Sequence, residues 1–277
     1  MKKSGIKLIA VDLDGTLISD GKISPENRRS VLRALEKDIP ILPATTRIRL
    51  STSRLLNSLP IDDYPLVCNN GARVLGPRWM DGSKNDELKL VRLKEEIART
   101  IAHHSDEKGY KLSTVFPEKV VWMKDKGQEK DPDPKVRNAA SNLEAVNHGT
   151  PVGFMMHRSE NGLDGLKDLE NFVKEEFGRG VRTDRHHRGE EFRSLSVYDG
   201  TVCKSEGSKL ASERLDISLK EVLAIGDDEV DKEMIEKAGT GIAMGDAPLP
   251  VKKIADDVAP DCEHNGVAWA LNKFLLK

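Results

Sequence analysis

The chain lacks a surplus of either charge: 44 Lys and Arg stand against 46 Asp and Glu over 277 residues, a formal net charge of -2 with a pI near 6.4. That balance excludes the basic excess that holds a polyanion by counterion release, so nucleic acid is not an expected partner. Long apolar runs are missing too. The longest are a few residues, against the roughly 20 needed to cross a bilayer, so no membrane partner is expected. Near the start, Lys7-Leu8-Ile9-Ala10-Val11 is cut off at once by Asp12, which predicts no secretory apolar region. Cysteines are few. Cys68, Cys203 and Cys262 have no metal-ligand spacing and cannot all pair, a usage that fits a reducing cytoplasm. No internal repeat or low-complexity tract is visible.

What is present suits a globular protein. Hydrophobic residues make up 38% and charged residues 32%, enough for a core under a heavily solvated surface. The length allows one large domain plus a smaller one. Short apolar runs, each followed by small or acidic residues and then an amphipathic stretch, are the sequence form of βα units in a mostly parallel sheet. Ile6 to Val11 reads as a buried strand. Ser24, Pro25 and Glu26 read as the N-cap, first-position proline and first-turn acid of a helix ending near Leu35. A second strand at Ile41-Leu42 meets Pro43, which suits an edge or a strand end, and a helix should follow to about Leu59. After Leu66-Val67-Cys68, the Asn69-Asn70-Gly71 segment predicts a tight turn between paired strands.

From about Asp81 to Glu190 the texture changes. Helical periodicity at Leu90 to Ala102 and at Leu166 to Phe177 is interrupted by a polar stretch, Lys124 to Pro134. Few chemistry-bearing clusters fall here, so the middle third reads as an inserted domain: residues 1–82 and 191–277 form the core and 83–190 the insertion. Past Val197 the pattern resumes, with a helix at Lys204 to Leu215, a strand at Val222 to Ile225, a helix at Asp231 to Ala238 and a strand at Gly241 to Met244. The fold class expected is α/β: a Rossmann-like, doubly wound parallel sheet with an inserted α/β domain.

Four clusters stand at strand ends or helix starts: Asp12-Leu13-Asp14-Gly15-Thr16, Thr45-Thr46-Arg47, Lys204, and Gly226-Asp227-Asp228-Glu229-Val230-Asp231. A parallel sheet collects the carboxyl ends of its strands along one edge, so these distant residues can converge. Asp12, Asp14, Asp227 and Asp231 would then crowd together, and like charges that close require a cation. An all-oxygen ligand set without His or Cys suits a hard ion, and Mg²⁺ is the usual companion of phosphate oxygens. Asp12 could attack phosphorus in line to give an acyl phosphate. Gly15 would turn the chain so that Asp14 protonates the leaving alcohol and then deprotonates the attacking water. The Thr45 hydroxyl and the Lys204 charge would both serve phosphoryl oxygens. Thr46, Arg47 and Asn70 are the further candidates for touching substrate.

These residues resemble the haloacid dehalogenase superfamily of phosphohydrolases, and the whole chain is similar to its Cof-like subgroup with a type IIB α/β cap. Asp12 to Leu17 is similar to the first motif, Thr45 to Arg47 to the second, Lys204 to the third and Gly226 to Asp231 to the fourth. Cys68 to Ala72, Ala238 to Ala247 and Gly266-Val267-Ala268 resemble flanking signatures. The resemblance implies a nucleophilic Asp12, an acid/base Asp14, Mg²⁺ on Asp227 and the Asp14 backbone carbonyl, Asp231 as ligand or support, and a cap that covers the site and selects the substrate. Thr46 stands where the subgroup usually has Gly, Val230 where it has Asn, and Ser205 where Gly is common.

The function implied is Mg²⁺-dependent hydrolysis of a small organic phosphomonoester, such as a sugar phosphate or a phosphoglycolate-like molecule, through a phospho-aspartate. Two alternatives stand beside it. A phosphomutase would share the Asp12 chemistry, although the large insertion between the second and third motifs argues against it. A phosphate-binding regulatory protein without turnover is kept open by Thr46 and Val230. Elsewhere, Arg182 to Arg193, with Arg185, His186, His187 and Arg188, reads as a solvated basic loop balanced by Glu190 and Glu191 rather than an anion clamp or metal site. Trp79, Trp122 and Trp269 read as packing residues. Oligomeric state is not readable.

Overall fold

The computed structural model describes residues 5–81, 86–123 and 136–275, so the polar stretch Lys124 to Pro134 lies outside the described residues. Two compact units are formed: one from Met1–Lys89, Arg188–Glu190 and Cys203–Lys277, the other from Leu90–His187 and Glu191–Val202.

In the first unit the chain runs β1 (Leu8–Val11), α1 (Pro25–Leu35), β2 (Ile41–Pro43), α2 (Arg49–Leu56), β3 (Leu66–Cys68), β4 (Arg73–Leu75) and β5 (Glu87–Leu90). The second unit carries α3 (Glu95–Lys108), β6 (Leu112–Val115), β7 (Val120–Met123), β8 (Val136–Ala139), α4 (Asn142–Val146), β9 (Gly153–His157), α5 (Arg158–Phe177), β10 (Val181–Arg188) and β11 (Glu191–Asp199). The chain returns to the first unit through α6 (Lys204–Arg214), β12 (Val222–Gly226), α7 (Lys232–Lys237), β13 (Thr240–Ala243), α8 (Leu249–Lys252), β14 (Asp257–Val258) and α9 (Gly266–Phe274).

Five strands of the first unit form a parallel sheet in the order β14-β13-β12-β1-β2. Both faces are covered, as the unbroken burial of β1 requires. Ile9, Val11, Ile41, Leu223 and Ile225 pack with Val31 of α1 and Val267 and Leu271 of α9. The alternate residues Leu8, Ala10, Leu42, Val222 and Ala224 pack with Ala211 of α6 and Met234 of α7. Period-two alternation therefore sends successive side chains of one strand into two separate cores. This is the α/β, doubly wound architecture expected from the sequence.

Local chemistry sets the element ends. Ser24 caps α1 by accepting from the Asn27 N–H (3.1 Å), with Pro25 in the first turn. Pro43 is the last residue of β2, which is the edge of the five-stranded sheet. By contrast, α2 stops at Leu56 rather than near Leu59, because Leu59 precedes Pro60 and is steered away from helical geometry. The Leu90 to Ala102 periodicity also misleads at its start: Leu90 ends strand β5, and helix begins only at Glu95. Among the described residues no helix is long and apolar enough to cross a membrane.

The second unit holds a six-stranded sheet ordered β10-β11-β9-β6-β7-β8. Its core joins Leu112, Phe154, Met156, Leu195 and Val197 to Ile97 and Ile101 of α3 and Leu166, Leu169 and Val173 of α5. Arg182 to Arg193 is not a loop: it forms all of β10 but its first residue, a tight turn and the start of β11. Within it Arg182 pairs with Asp184 (2.8 Å), Arg185 with Glu170 (2.9 Å) and Arg193 with Glu191 (2.9 Å). Trp79 is fully buried and Trp269 packs against the first unit's core, whereas Trp122 is 42% exposed and stacks on the His157 ring with centroids 6.4 Å apart. On β7 its neighbour Val121 takes the inward position, so alternation turns Trp122 outward.

Candidate active site

Parallel register brings the ends of β2, β1 and β12 side by side: Val11 is level with Pro43 and with Ile225. The Asp12 N–H donates to the Ile225 carbonyl (3.0 Å) and the Ala44 N–H to the Val11 carbonyl (2.9 Å), so Asp12, Thr45 and Asp227 emerge together at one sheet edge. Asp231 follows four residues after Asp227 in the turn that opens α7. Asp12, Asp227 and Asp231 each present a carboxylate oxygen within 4.8 Å of the others.

Lys204 closes this cluster from the first position of α6, where Cys203 is the N-cap. Its ammonium, 1% exposed, donates to Asp12 Oδ1 (2.5 Å) and Asp231 Oδ1 (2.8 Å). Burial alone would discharge this lysine, but the two carboxylates outweigh it and hold the pKa above the ordinary value. The acids respond in the opposite sense. Burial, only partly offset by Lys204, and then repulsion from Asp231 and Asp14, push Asp12 up to about 7. Asp227 is raised well above its usual range by burial and then by Asp12 and Asp231. Burial likewise raises Asp231 against the opposing pull of Lys204.

One lysine thus leaves the acids undercompensated. Converging oxygen-only donors are what a small hard cation takes, so these residues fit a divalent ion such as Mg²⁺. Asp12, Asp227 and Asp231 would hold it. Gly15 is required beside them. Its φ is +84°, and a Cβ there would lie 2.3 Å from Asp227 Oδ2. Thr16, buried one residue on, donates to Asp227 Oδ1 (2.7 Å) and fixes that carboxylate from the first loop.

Sequence matching to the haloacid dehalogenase-like hydrolase family extends over residues 9–271. The chain is a member of that family. Among curated relatives, YkrA of Bacillus subtilis is 43% identical over 274 residues, covering 98% of this chain and 99% of that protein. A second Bacillus subtilis relative, the 5-amino-6-(5-phospho-D-ribitylamino)uracil phosphatase YcsE, is 27% identical over 282 residues, covering 98% and 96%. In fold, this hydrolase is similar to the subclass IIB sugar phosphatase BT4131, with a TM-score of 0.79, 22% identity and coverage of 97% of this chain and 98% of that one.

The remaining residues expected at the site of this hydrolase fall in three places. Thr45 is buried there, its Oγ1 accepting from the Arg47 N–H (3.2 Å). Thr46 is half-buried beside it. Asp14 is apart from the carboxylate triad: its side chain is turned to Arg47, whose Nε and Nη2 donate to Oδ2 and Oδ1, both at 2.6 Å. Arg47, read from sequence as a substrate contact, grips Asp14 in a two-point fork. It is steadied by Ser51, which accepts from Nη1 (2.9 Å). Asn70 is 1% exposed in the turn between β3 and β4. Sequence reasoning quoted Thr16 without a role and missed Ser51. The i to i+4 spacing from Arg47 across a helix start is the signal that would have found Ser51.

Proposed function

We propose that this phosphatase hydrolyses a small organic phosphomonoester through a covalent phospho-aspartate at Asp12, with Mg²⁺ held by Asp12, Asp227, Asp231 and the main-chain carbonyl of Asp14. The observation that carries the reading is the triad of carboxylates, two of them buried and Asp227 half-buried, with Lys204 between Asp12 and Asp231 at the carboxyl edge of a parallel sheet. When bound, the ion supplies Lewis-acid polarisation of a phosphoryl oxygen and neutralises charge on the reacting groups.

The chain's own residues divide the remaining work. A carboxylate oxygen of Asp12 attacks phosphorus, the bond from phosphorus to the ester oxygen breaks, and Asp14, released from the Arg47 fork and carrying a proton, gives that proton to the departing oxygen. In the second step Asp14 takes a proton from water, the water oxygen bonds to phosphorus, and orthophosphate leaves as the Asp12 carboxylate is restored. Lys204 and the Thr45 hydroxyl stabilise the charge that builds on the phosphoryl oxygens. Lys204 is suited to this because its two carboxylate partners keep it charged in a buried place. Arg47 holds Asp14 as a carboxylate through the fork and has to release it before the proton transfer. Thr46 and Asn70 remain candidates for contact with the organic group.

A sugar or sugar-alcohol phosphate is the preferred substrate class, which the ribityl phosphate named for YcsE and the sugar phosphatase BT4131 both support. The test is steady-state turnover of p-nitrophenyl phosphate and a sugar-phosphate panel. Activity that needs Mg²⁺, is lost on chelation and is lost in Asp12→Asn is the expected result. A panel without turnover in the presence of Mg²⁺ would favour a phosphate-binding protein instead.

A further inference from the structure

We infer that the buried turn Asn69–Asn70–Gly71 is a positioning device whose main-chain contacts fix the loop carrying Thr45 and Arg47 relative to Lys204; the inference rests on the phosphatase reading above. Joining β3 to β4 does not demand so unusual a turn. Three successive residues adopt left-handed backbone, with φ of 51° at Asn69, 58° at Asn70 and 90° at Gly71. All three are buried. Left-handed geometry is disfavoured at residues that carry a Cβ, and such geometry persists only where the surroundings enforce it.

What the turn achieves is visible on its two sides. On one, the Asn69 N–H donates to the Arg47 carbonyl (2.9 Å) and the Asn70 N–H to the Thr45 carbonyl (3.0 Å). Both carbonyls belong to the loop carrying the Thr45 hydroxyl and the Arg47 fork. On the other side, Gly71 lies against the start of α6: a Cβ there would fall 2.1 Å from the Cys203 carbonyl oxygen and 3.1 Å from the Lys204 nitrogen. Gly207, one turn into α6, answers it. A Cβ at Gly207 would meet Val67 Cγ1 at 2.6 Å and the Gly71 Cα at 3.2 Å. Two glycines thus let the helix that carries Lys204 seat directly on the turn that carries the loop. In an extended or right-handed conformation Asn69 and Asn70 would aim their N–H groups elsewhere, and the loop would lose its reference to the lysine.

The experiment compares Gly71→Ala, Asn69→Val and Asn69→Gly with wild type by thermal unfolding, kcat and KM, and calorimetric binding of orthovanadate and of Mg²⁺ alone. Displacing a catalytic group by about 1 Å costs on the order of 100-fold in rate. Gly71→Ala and Asn69→Val are therefore expected to lose about 100-fold in kcat and to bind orthovanadate more weakly. Their Mg²⁺ affinity should not weaken, because the three acids do not hang on the turn. Asn69→Gly, which takes the left-handed backbone freely, should stay within about threefold of wild type in kcat.

Were Gly71→Ala not to fold, the Asn69 pair decides alone. Folded Gly71→Ala or Asn69→Val with wild-type kcat and orthovanadate affinity overturns the inference. Equal damage in Asn69→Gly and Asn69→Val also overturns it, since the side chain and not the backbone would then be at work. A wild-type protein that neither hydrolyses phosphomonoesters nor binds orthovanadate is a different result: it defeats the phosphatase reading and takes the positioning role with it.

Discussion

The first unit sets a cluster of three acids, two buried and one half-buried, around one lysine, whereas the second gives the buried carboxylate of Glu170 two cations. Glu170 receives Lys174 Nζ at 2.5 Å and the Arg185 guanidinium at 2.9 Å and 3.0 Å. Burial works to raise its pKa, but Arg185 and Lys174 outweigh burial and hold it below the usual range. In the first unit the balance is reversed, and Asp12 rises to about 7. Both networks are hydrogen-bonded around buried carboxylates, yet only one is electrically complete. Acids in excess of bases mark a place built to receive a cation and an anionic substrate. An acid matched by its bases marks a structural joint.

The comparison breaks if Asp12 behaves like Glu170. Asp12→Asn is expected to lower kcat on the order of 10⁴-fold or more, as loss of a nucleophile does. Its stability against urea should be unchanged or higher, because repulsion is relieved; a large loss of stability would make Asp12 a structural acid. Glu170→Gln should do the opposite. It leaves two cations without their carboxylate and should cost about 2 kcal/mol in urea unfolding, with kcat within about threefold. A kcat collapse in that variant, with stability intact, would erase the distinction.

The two networks should also titrate in opposite directions. A folded-state pKa raised above the unfolded value, as at Asp12, gives stability that is present at low pH and lost as pH rises through about 7. A lowered one, as at Glu170, gives stability present above the ordinary 4.5 and lost as pH falls through the folded value. Metal-free protein should therefore become more stable as pH is lowered from about 8 to 5.5, then less stable under further acidification. Mg²⁺ added at about pH 8 should remove the first trend in wild type but not in Asp227→Asn. A flat profile from pH 8 to 5.5 in metal-free protein would contradict the repulsion assigned to the triad.

Much of this was readable from residues alone, for stated reasons. Unbroken apolar runs such as Leu8 to Val11 announce a strand covered on both faces, and parallel neighbours must then bring Asp12 and Asp227 to one edge. Ser24-Pro25 and Pro43 marked element ends because caps and prolines act locally. What escaped depends on partners far along the chain. Arg47 and Asp14, 33 residues apart, read separately as a substrate contact and an acid; only the fold shows them locked together. Arg182 to Arg193 looked like a loop because its charges hid alternation, and those charges proved to be paired with Glu170, Asp184 and Glu191. Asn69-Asn70-Gly71 was legible as a turn, but nothing in its spelling says that it bears on both Thr45 and Lys204.

The most direct measurement is identification of the covalent intermediate. The protein would be mixed with Mg²⁺ and a turned-over phosphomonoester, acid-quenched within a single turnover, treated with tritiated borohydride and mapped by peptide mass spectrometry. An acyl phosphate is reduced under these conditions, and the label should appear at position 12 and be absent when substrate is omitted. Label at another residue, or turnover with no label at any carboxylate, would contradict Asp12 as the group that carries the phosphoryl.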